Sequence, residues 1–528
     1  MTLLSELTSF GGFLGGIPAL ARRRVTLAEG EATLGQRLRS RGANLLGTVE
    51  RAYAAGAERP YGALMRAAGC TPSDVGARIE SDGVEAALRE LREAGVWISF
   101  EEFKGNRPIV RGSLSLQTRP ADFDNTSARR YLATSTGGST GAARRVLMDV
   151  DFLEAKKASH VVAQEAHGLA DVPLAIWAEI PPGHGLEASL VQSILHGNVR
   201  RWFTPTWGSI GDAAGRFRLA TQVAVKVARA AGVPIPAPEH LPFDRASVIV
   251  RWVEEMLRTH GRCAVRAHVS KALRIALAAR EMGVSLAGLT ISSGGEPPTD
   301  AKVREITSTG ARFLANYYFM EAGPIGFACT DGVDATDLHF MADHLALITA
   351  PREVGAFGIE VGAFHVTTLL PSAPKLLINV ELDDYGELEC RRCACPFGAL
   401  GFDVHLRNVR SFSKLTGEGV TLVGSDMERI VESELPARFG GSALDYQLRE
   451  EEDDRGFTRL TLLVHPRIAL DDEGAVLAHV HGELSRMGGA AAVSRNIWEQ
   501  AGTLRLRREA PRMSERGKMR LLVAKGTD

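Results

Sequence analysis

Cysteine is scarce in this chain, with six residues in 528. That density is far below a disulfide-stapled secreted scaffold, and a reducing compartment fits it. Charge of one sign is also lacking. Formal net charge is -1, from 62 basic and 63 acidic residues. No global basic field therefore exists to recruit nucleic acid, and the local stretch LRLRREAPR reads as a solvated face. No apolar run reaches the roughly 18–20 residues of a membrane span, so no membrane partner is expected. The opening MTLLSELTSFGGFLGGIPALARRR is apolar, but it has no basic n-region, carries Glu6 and places its arginines after the apolar part. It reads as the start of a cytoplasmic protein rather than as a signal peptide. No fixed-period repeat and no long low-complexity tract occurs.

What remains is an ordinary globular composition, 45% hydrophobic and 24% charged. A prior of ~150 residues per domain gives roughly three units. Residues 1–110 read as mostly helical. In VEAALRELREAGV, Ala87, Leu88, Leu91 and Ala94 fall on one face. From about 130 to 350, strand patterns (VPLAIWAEI, LAGLTISSGGE, ARFLANYYF) alternate with helical ones (AAGRFRLATQVAVKVARAAG, TDAKVREITSTG), the latter with Thr299 as N-cap. Such alternation implies an α/β sheet domain, with its site at strand ends. After about 410 the pattern becomes strand, polar turn, strand and then the helix AVLAHVHGELSRM, a small α+β module.

The stretch YLATSTGGSTGAARRV places hydroxyls and glycines ahead of two arginines. Glycines let backbone N–H groups approach phosphate oxygens, hydroxyls donate to them, and Arg144 and Arg145 supply charge. A polyphosphate suits such a loop; a surface turn is the alternative. The Walker pattern is absent. Further along, TISSGGEPPTDAKVREI sets Gly294, Gly295, Glu296 and Pro297 at a strand end. ANYYFMEAGPIGFAC sets Glu321 at the next one, and SERGKMRLL carries Lys518 in the terminal tail.

In this order the segments resemble the adenylate-forming superfamily of acyl-CoA synthetases, adenylation domains and luciferases, nearest to its phenylacetate–CoA ligase branch. The resemblance covers most of residues 130–525 and is weak over the first ~110. It implies an α/β fold in two parts. One is a large multi-layer N-terminal AMP-binding domain, 1–410, including a mostly helical extension at 1–110. The other is a small mobile α+β C-terminal domain, 411–528, carrying the catalytic lysine. It implies ATP and Mg²⁺ as cofactors. Thr136, Gly137, Gly138, Ser139, Thr140 and Gly141 match the family's phosphate loop, with Gly137 replacing a hydroxyl. Arg144 stands at the usual lysine, with the same charge and different donor geometry. Gly295, Glu296 and Pro297 match the segment beside adenine. Tyr317 matches the residue against the adenine ring and Glu321 the Mg²⁺ carboxylate, while Met320 replaces a phosphate-touching threonine. Asp384 matches the ribose ligand, since a carboxylate accepts two hydrogen bonds from a vicinal diol. Arg410 matches the arginine that opens the hinge, although Phe412 and Ser413 replace the hinge aspartates. Lys518 matches the lysine that acts in adenylation.

CRRCACPFG concentrates soft ligands. Cys393 and Cys395 can bind one Zn²⁺ as thiolates, and Cys329 and His339 can complete a tetrahedron. Members of the same branch carry a similar set, which implies a structural zinc; buried free thiols are the alternative. Cys390 is a substitute ligand, and His344 reads as a surface or packed histidine. The acid pocket is expected near the 290–326 strand ends and the 177–207 region. Its candidates are His184, Trp202, Gly323 and Pro324, lined for an aryl acid, with core packing the more common use of such a tryptophan and a turn the alternative for His184.

The implied reaction is ATP-dependent activation of a carboxylic acid as acyl-AMP with release of pyrophosphate. Transfer to an acceptor follows, most commonly CoA, and makes the chain an acid–thiol ligase. Three alternatives stay open: transfer to a small-molecule amine or hydroxyl in specialised metabolism, transfer to a carrier protein in trans, and a catalytically silent nucleotide-binding scaffold. A homodimer is also left open.

Overall fold

The structure is a computed structural model of the chain. It describes residues 3–125, 131–135, 145–181, 183–207, 213–296, 298, 300–354, 359–411, 415–417, 420–422, 430–441, 445–454, 457–486, 502–511 and 522–523.

The N-terminal 110 residues are helical, as their periodicity implies. Local chemistry sets the helix starts. Thr26 with Glu29, Thr71 with Asp74 and Ser99 with Glu102 form reciprocal capping boxes, and Pro72 follows its cap at the first helical position. In the helix Val84–Glu93 the buried stripe is Val84, Ala87, Leu88 and Leu91. Ala94, expected on that stripe, is exposed: it is the C-cap, where the chain already leaves the helix.

A 12-stranded sheet forms the centre. Its strands are β1 (Leu174–Trp177), β2 (Val199–Thr204), β3 (Pro238–His240), β4 (Cys263–His268), β5 (Leu289–Gly294), β6 (Arg312–Phe319), β7 (Gly323–Ala328), β8 (Leu338–Phe340), β9 (Leu345–Val354), β10 (Ile359–Thr368), β11 (Val380–Cys390) and β12 (Val404–Ser411). Their spatial order is β9-β10-β11-β12-β8-β7-β6-β5-β4-β1-β2-β3. The half from β6 to β3 is parallel, with helices between strands. Such strands are covered on both faces and need near-continuous apolar runs, which VPLAIW and CAV supply. The strand–helix alternation stops at Phe319, and β6 to β12 pair antiparallel.

The helical layer is pinned to the sheet region by buried polar contacts. Asn379 Nδ2 donates to Leu88 O (2.7 Å) and Val96 O (3.2 Å), and Ile378 N donates to Tyr61 Oη (2.9 Å). Lys157, fully buried, donates to Leu20 O and Arg23 O, both at 2.7 Å. Gly30 allows the helix Leu27–Arg39 to touch the helix Val150–Ala166, since a Cβ there would stand 2.6 Å from Val161 Cγ1.

The C-terminal part builds a four-stranded sheet. The hairpin Tyr446–Glu452 and Thr458–Val464 is flanked by Leu504–Arg508 and Leu522–Val523, and the helix Glu473–Arg486 packs with it. Leu460, Leu462 and Val464 are buried as their alternation implies, but so is Leu463, because both faces of this strand are covered. Phe457 packs on Leu273 and Leu277 of the helix Val269–Glu281, with the Arg274 guanidinium 4.5 Å from its ring centre. Among the described residues, no helix is long and apolar enough to cross a membrane.

Candidate functional site

The C-terminal ends of β4, β5 and β6 lie together, where open α/β sheets bind ligands. Three sequence segments expected at a nucleotide meet near this edge. Tyr317, on β6, donates its hydroxyl to Asp384 Oδ2 on β11 at 2.7 Å. Ser411 Oγ on β12 donates to the other oxygen, Asp384 Oδ1, and Ser411 and Asp384 are direct ladder partners. Burial and the adjacent Asp384 carboxylate push the Tyr317 phenol well above its ordinary range, so it stays a donor. Arg410 sits one residue along β12, opposite Tyr385. Glu321 is fully buried in the turn between β6 and β7.

The glycine and hydroxyl loop is bracketed by an antiparallel pair, Tyr131–Ser135 with Arg145–Asp149, closing at Ser135 opposite Arg145. Thr136, Gly137, Gly138, Ser139, Thr140, Gly141 and Arg144 lie outside the described residues, as do Pro297, Thr299, Phe412, Ser413 and Lys518. Gly295 is described, with φ of +79°. A Cβ there would stand 2.8 Å from His268 Cδ2, so the chain passes close over that ring. Glu296 is buried and accepts from Ser270 Oγ.

His184 precedes the helix Gly185–Leu195 and is half-buried, its ring centre 5.0 Å from that of His268. Around this pair lies a polar cluster whose Lys271 and His268 sequence reasoning did not single out. Lys271 Nζ donates to Glu179 Oε1 and lies 3.4 Å from His268 Nδ1. Burial pushes the Glu179 carboxyl up, but Lys271, His268 and His184 outweigh it and hold it at about 2. Burial moves His184 down to about 4 and His268 well below its ordinary range, so both imidazoles are neutral at pH 7. Trp202, expected to line the acid pocket, is fully buried and donates Nε1 to Ala178 O at 2.9 Å, which gives it a packing role. Gly323 and Pro324 open the wholly buried β7, and Pro324 O accepts from His344 Nε2 at 2.9 Å. His344 is thus a packed histidine.

A second centre lies where β8 meets the loop after β11. The ligand atoms of Cys329, His339, Cys393 and Cys395 all fall within 4.8 Å of one another. Cys329 Sγ is 3.8 Å from Cys393 Sγ, and Cys393 Sγ is 3.3 Å from Cys395 Sγ. His339 Nε2 is 2.9 Å from Cys395 Sγ and 3.4 Å from Cys393 Sγ. His339 Nδ1 donates to Phe402 O at 2.7 Å, which fixes the ring and leaves Nε2 as the lone-pair nitrogen. The neighbouring Cys329, with His339, holds the Cys395 thiol far below its ordinary range, the ionised form a metal needs. This donor set fits a soft divalent ion such as Zn²⁺. Cys390 is exposed at the end of β11, outside the cluster.

No protein-family model and no curated protein matches the chain. Among solved structures it is similar to an o-succinylbenzoate CoA synthetase from Bacillus subtilis. The two share 12% identity over 74% of this chain and 67% of that one, with a TM-score of 0.40. It is also similar to PA1221, a nonribosomal peptide synthetase protein containing adenylation and PCP domains (12% identity, 71% and 79% coverage, TM-score 0.34). A third is the amide bond synthetase McbA from Marinactinospora thermotolerans (12% identity, 72% and 66% coverage, TM-score 0.29).

Proposed function

We propose that the chain is an adenylate-forming ligase that activates a carboxylic acid with MgATP, with a large domain over 1–410 and a small mobile one over 411–528. The carrying observation is the convergence of Tyr317, Asp384 and Ser411, from three distant segments, at one edge of the parallel strand ends. Asp384 offers two carboxylate oxygens to the ribose diol; Tyr317 and Ser411 hold it in place until the sugar arrives. Gly295 and Glu296 bring the chain past His268 toward the base. The loop 136–144, with Arg144, takes the β- and γ-phosphates.

The chemistry asks the protein for alignment and charge neutralisation rather than a nucleophile. One oxygen of the substrate carboxylate forms a bond to the α-phosphorus, the α–β phosphoanhydride bond breaks, and pyrophosphate leaves. Lys518 bridges the carboxylate and the α-phosphate as negative charge is brought together. Glu321 provides the carboxylate for the nucleotide's Mg²⁺. Neutral His184 orients the acid, an aryl acid in this reading, with Gly323 and Pro324 beside it. The CoA thiol then attacks the acyl carbon, the acyl–phosphate C–O bond breaks, and AMP leaves as the thioester forms. Zn²⁺ at Cys329, His339, Cys393 and Cys395 ties the turn before β8 to the loop after β11, a structural role.

A pyrophosphate-release screen over aryl and aliphatic acids, with product masses taken with and without CoA, tests this reading. Acid-dependent release with a CoA thioester is expected. An amide or ester formed without CoA would replace the acceptor; ATP binding without release for any acid would leave a silent scaffold.

A further inference from the structure

Arg266 is a half-buried charged side chain with no charged partner among the described residues. On β4 it pairs with Ser292 of β5, which pairs with Leu314 of β6. Side chains two apart share a face, so Arg266, His268, Ser292, Asn316 and Tyr318 lie on one face of the sheet, the face on which Tyr318 meets the helix Val150–Ala166. The contacts agree. Asn316 Nδ2 donates to Ser292 Oγ at 2.9 Å, Arg266 Nη2 donates to Tyr318 Oη at 2.9 Å, and Tyr318 Oη lies 3.3 Å from His160 Nε2 on that helix. His160 Nδ1 is 2.9 Å from Lys156 O and donates to it, so Nε2 accepts from the tyrosine. The relay therefore has one direction, from guanidinium to phenol to imidazole.

The nearby cations have partners of their own: Lys156 is paired with Glu187, and Lys271 with Glu179. Arg266 forms no ion pair among the described residues; one guanidinium bond goes to Tyr318, and its side chain is half-buried rather than sealed. Its neighbours feel its charge. After burial, Arg266 is the neighbour that helps push Lys156 down to about 7, and it also lowers His160, His184 and His268. A recessed guanidinium, fixed by one bond to a tyrosine and with further N–H donors, is a receptor for a planar anion.

We propose that Arg266, held in place by Tyr318, binds a second carboxylate at the far end of the acid being activated, so that the substrate is a compact dicarboxylic acid. The proposal rests on the adenylation reading for the position of the reacting end. That end sits beside His184, whose ring centre is 5.0 Å from that of His268. Along β4 the backbone positions of Arg266 and His268 are two residues apart, about 7 Å at ~3.3 Å per residue, which sets the scale of the spacer. One aromatic ring or a four-carbon spacer spans that distance between two carboxylates.

The test uses two matched pairs, terephthalate against 4-methylbenzoate and adipate against hexanoate. Binding is measured by calorimetry without ATP, and turnover by acid-dependent pyrophosphate exchange. In wild type at least one diacid binds 10-fold or more tighter than its monoacid. R266M removes that preference, R266K keeps part of it, and in exchange the difference appears in KM. Equal affinity within both pairs, no diacid binding, or an unchanged preference in R266M overturns the proposal. Because the wild-type comparison needs no variant, a poorly folding R266M does not protect it. If the preference and its dependence on Arg266 persist while no acid supports exchange, the anion site stands and the adenylation reading falls.

Discussion

Replacing Cys395 with serine tests the proposed zinc centre through its geometry. A tetrahedral ion with Zn–S near 2.3 Å and Zn–N near 2.05 Å requires S···S edges of about 3.8 Å and N···S edges of about 3.6 Å. The Cys329–Cys393 separation of 3.8 Å already meets this. The Cys393–Cys395 separation of 3.3 Å and the His339–Cys395 separation of 2.9 Å are shorter, so loading moves Cys395 outward by roughly 0.5–0.7 Å. Cys395 caps the short helix Pro396–Ala399, accepting from Gly398 N at 3.4 Å, so the motion shifts the packing of Phe397 under β7. Structural zinc sites carry apparent binding free energies on the order of 10 kcal/mol in small peptides, and removing a ligand forfeits a large part of that. Purified protein should contain one zinc per chain by elemental analysis, and chelation should lower Tm by at least ~5 °C. The C395S protein should lose the metal and show a Tm that chelator no longer changes. Metal-free purified protein with an unchanged melt in chelator would refute the reasoning.

Three further outcomes follow from other contacts. Asp384→Asn should raise KM for ATP by ten-fold or more with little change in KM for the acid, measured by initial rates; equal effects on both would remove its ribose role. Lys271→Met should destabilise the fold by about 3–5 kcal/mol in urea, because it leaves the buried Glu179 carboxylate unpaired, and adding Glu179→Leu should recover most of that loss. A double variant no more stable than the single one would contradict the pairing. His365 is buried, and burial lowers it to about 4. Between that value and the unfolded value near 6.5 the unfolded chain binds the extra proton, so stability falls as pH drops through this window. Wild type should lose up to ~1.4 kcal/mol per pH unit from this group, and His365→Gln should flatten the Tm–pH slope between pH 6 and 4.5. Parallel slopes would discount His365.

Legibility in the sequence followed periodicity and punctuation. The helical N-terminal layer, β1, β5 and β6 all carry local patterns, and a glycine ends β5 where the strand pattern of LTISSGG breaks. The antiparallel half was less readable, because β9 to β12 take their order from long-range pairing that no local signal encodes. Soft-ligand identity made Cys329, His339, Cys393 and Cys395 visible, since few other residue types suit that chemistry. The relay of Arg266, Tyr318 and His160 was not visible. Arginine and tyrosine have many ordinary uses, and only the register of β4 against β5 and β6 brings these two side chains together on the face toward the helix that carries His160. Trp202 shows the same ambiguity from the other side: near an expected pocket, its more common use, in the core, is the one it has.

The central claim is the acid–nucleotide reaction, and exchange of labelled pyrophosphate into ATP reads it directly. The account predicts exchange that requires a carboxylic acid in wild type and drops at least 100-fold in Lys518→Ala, with an unchanged thermal melt. Acid-independent exchange, or full exchange in the lysine variant, would contradict it.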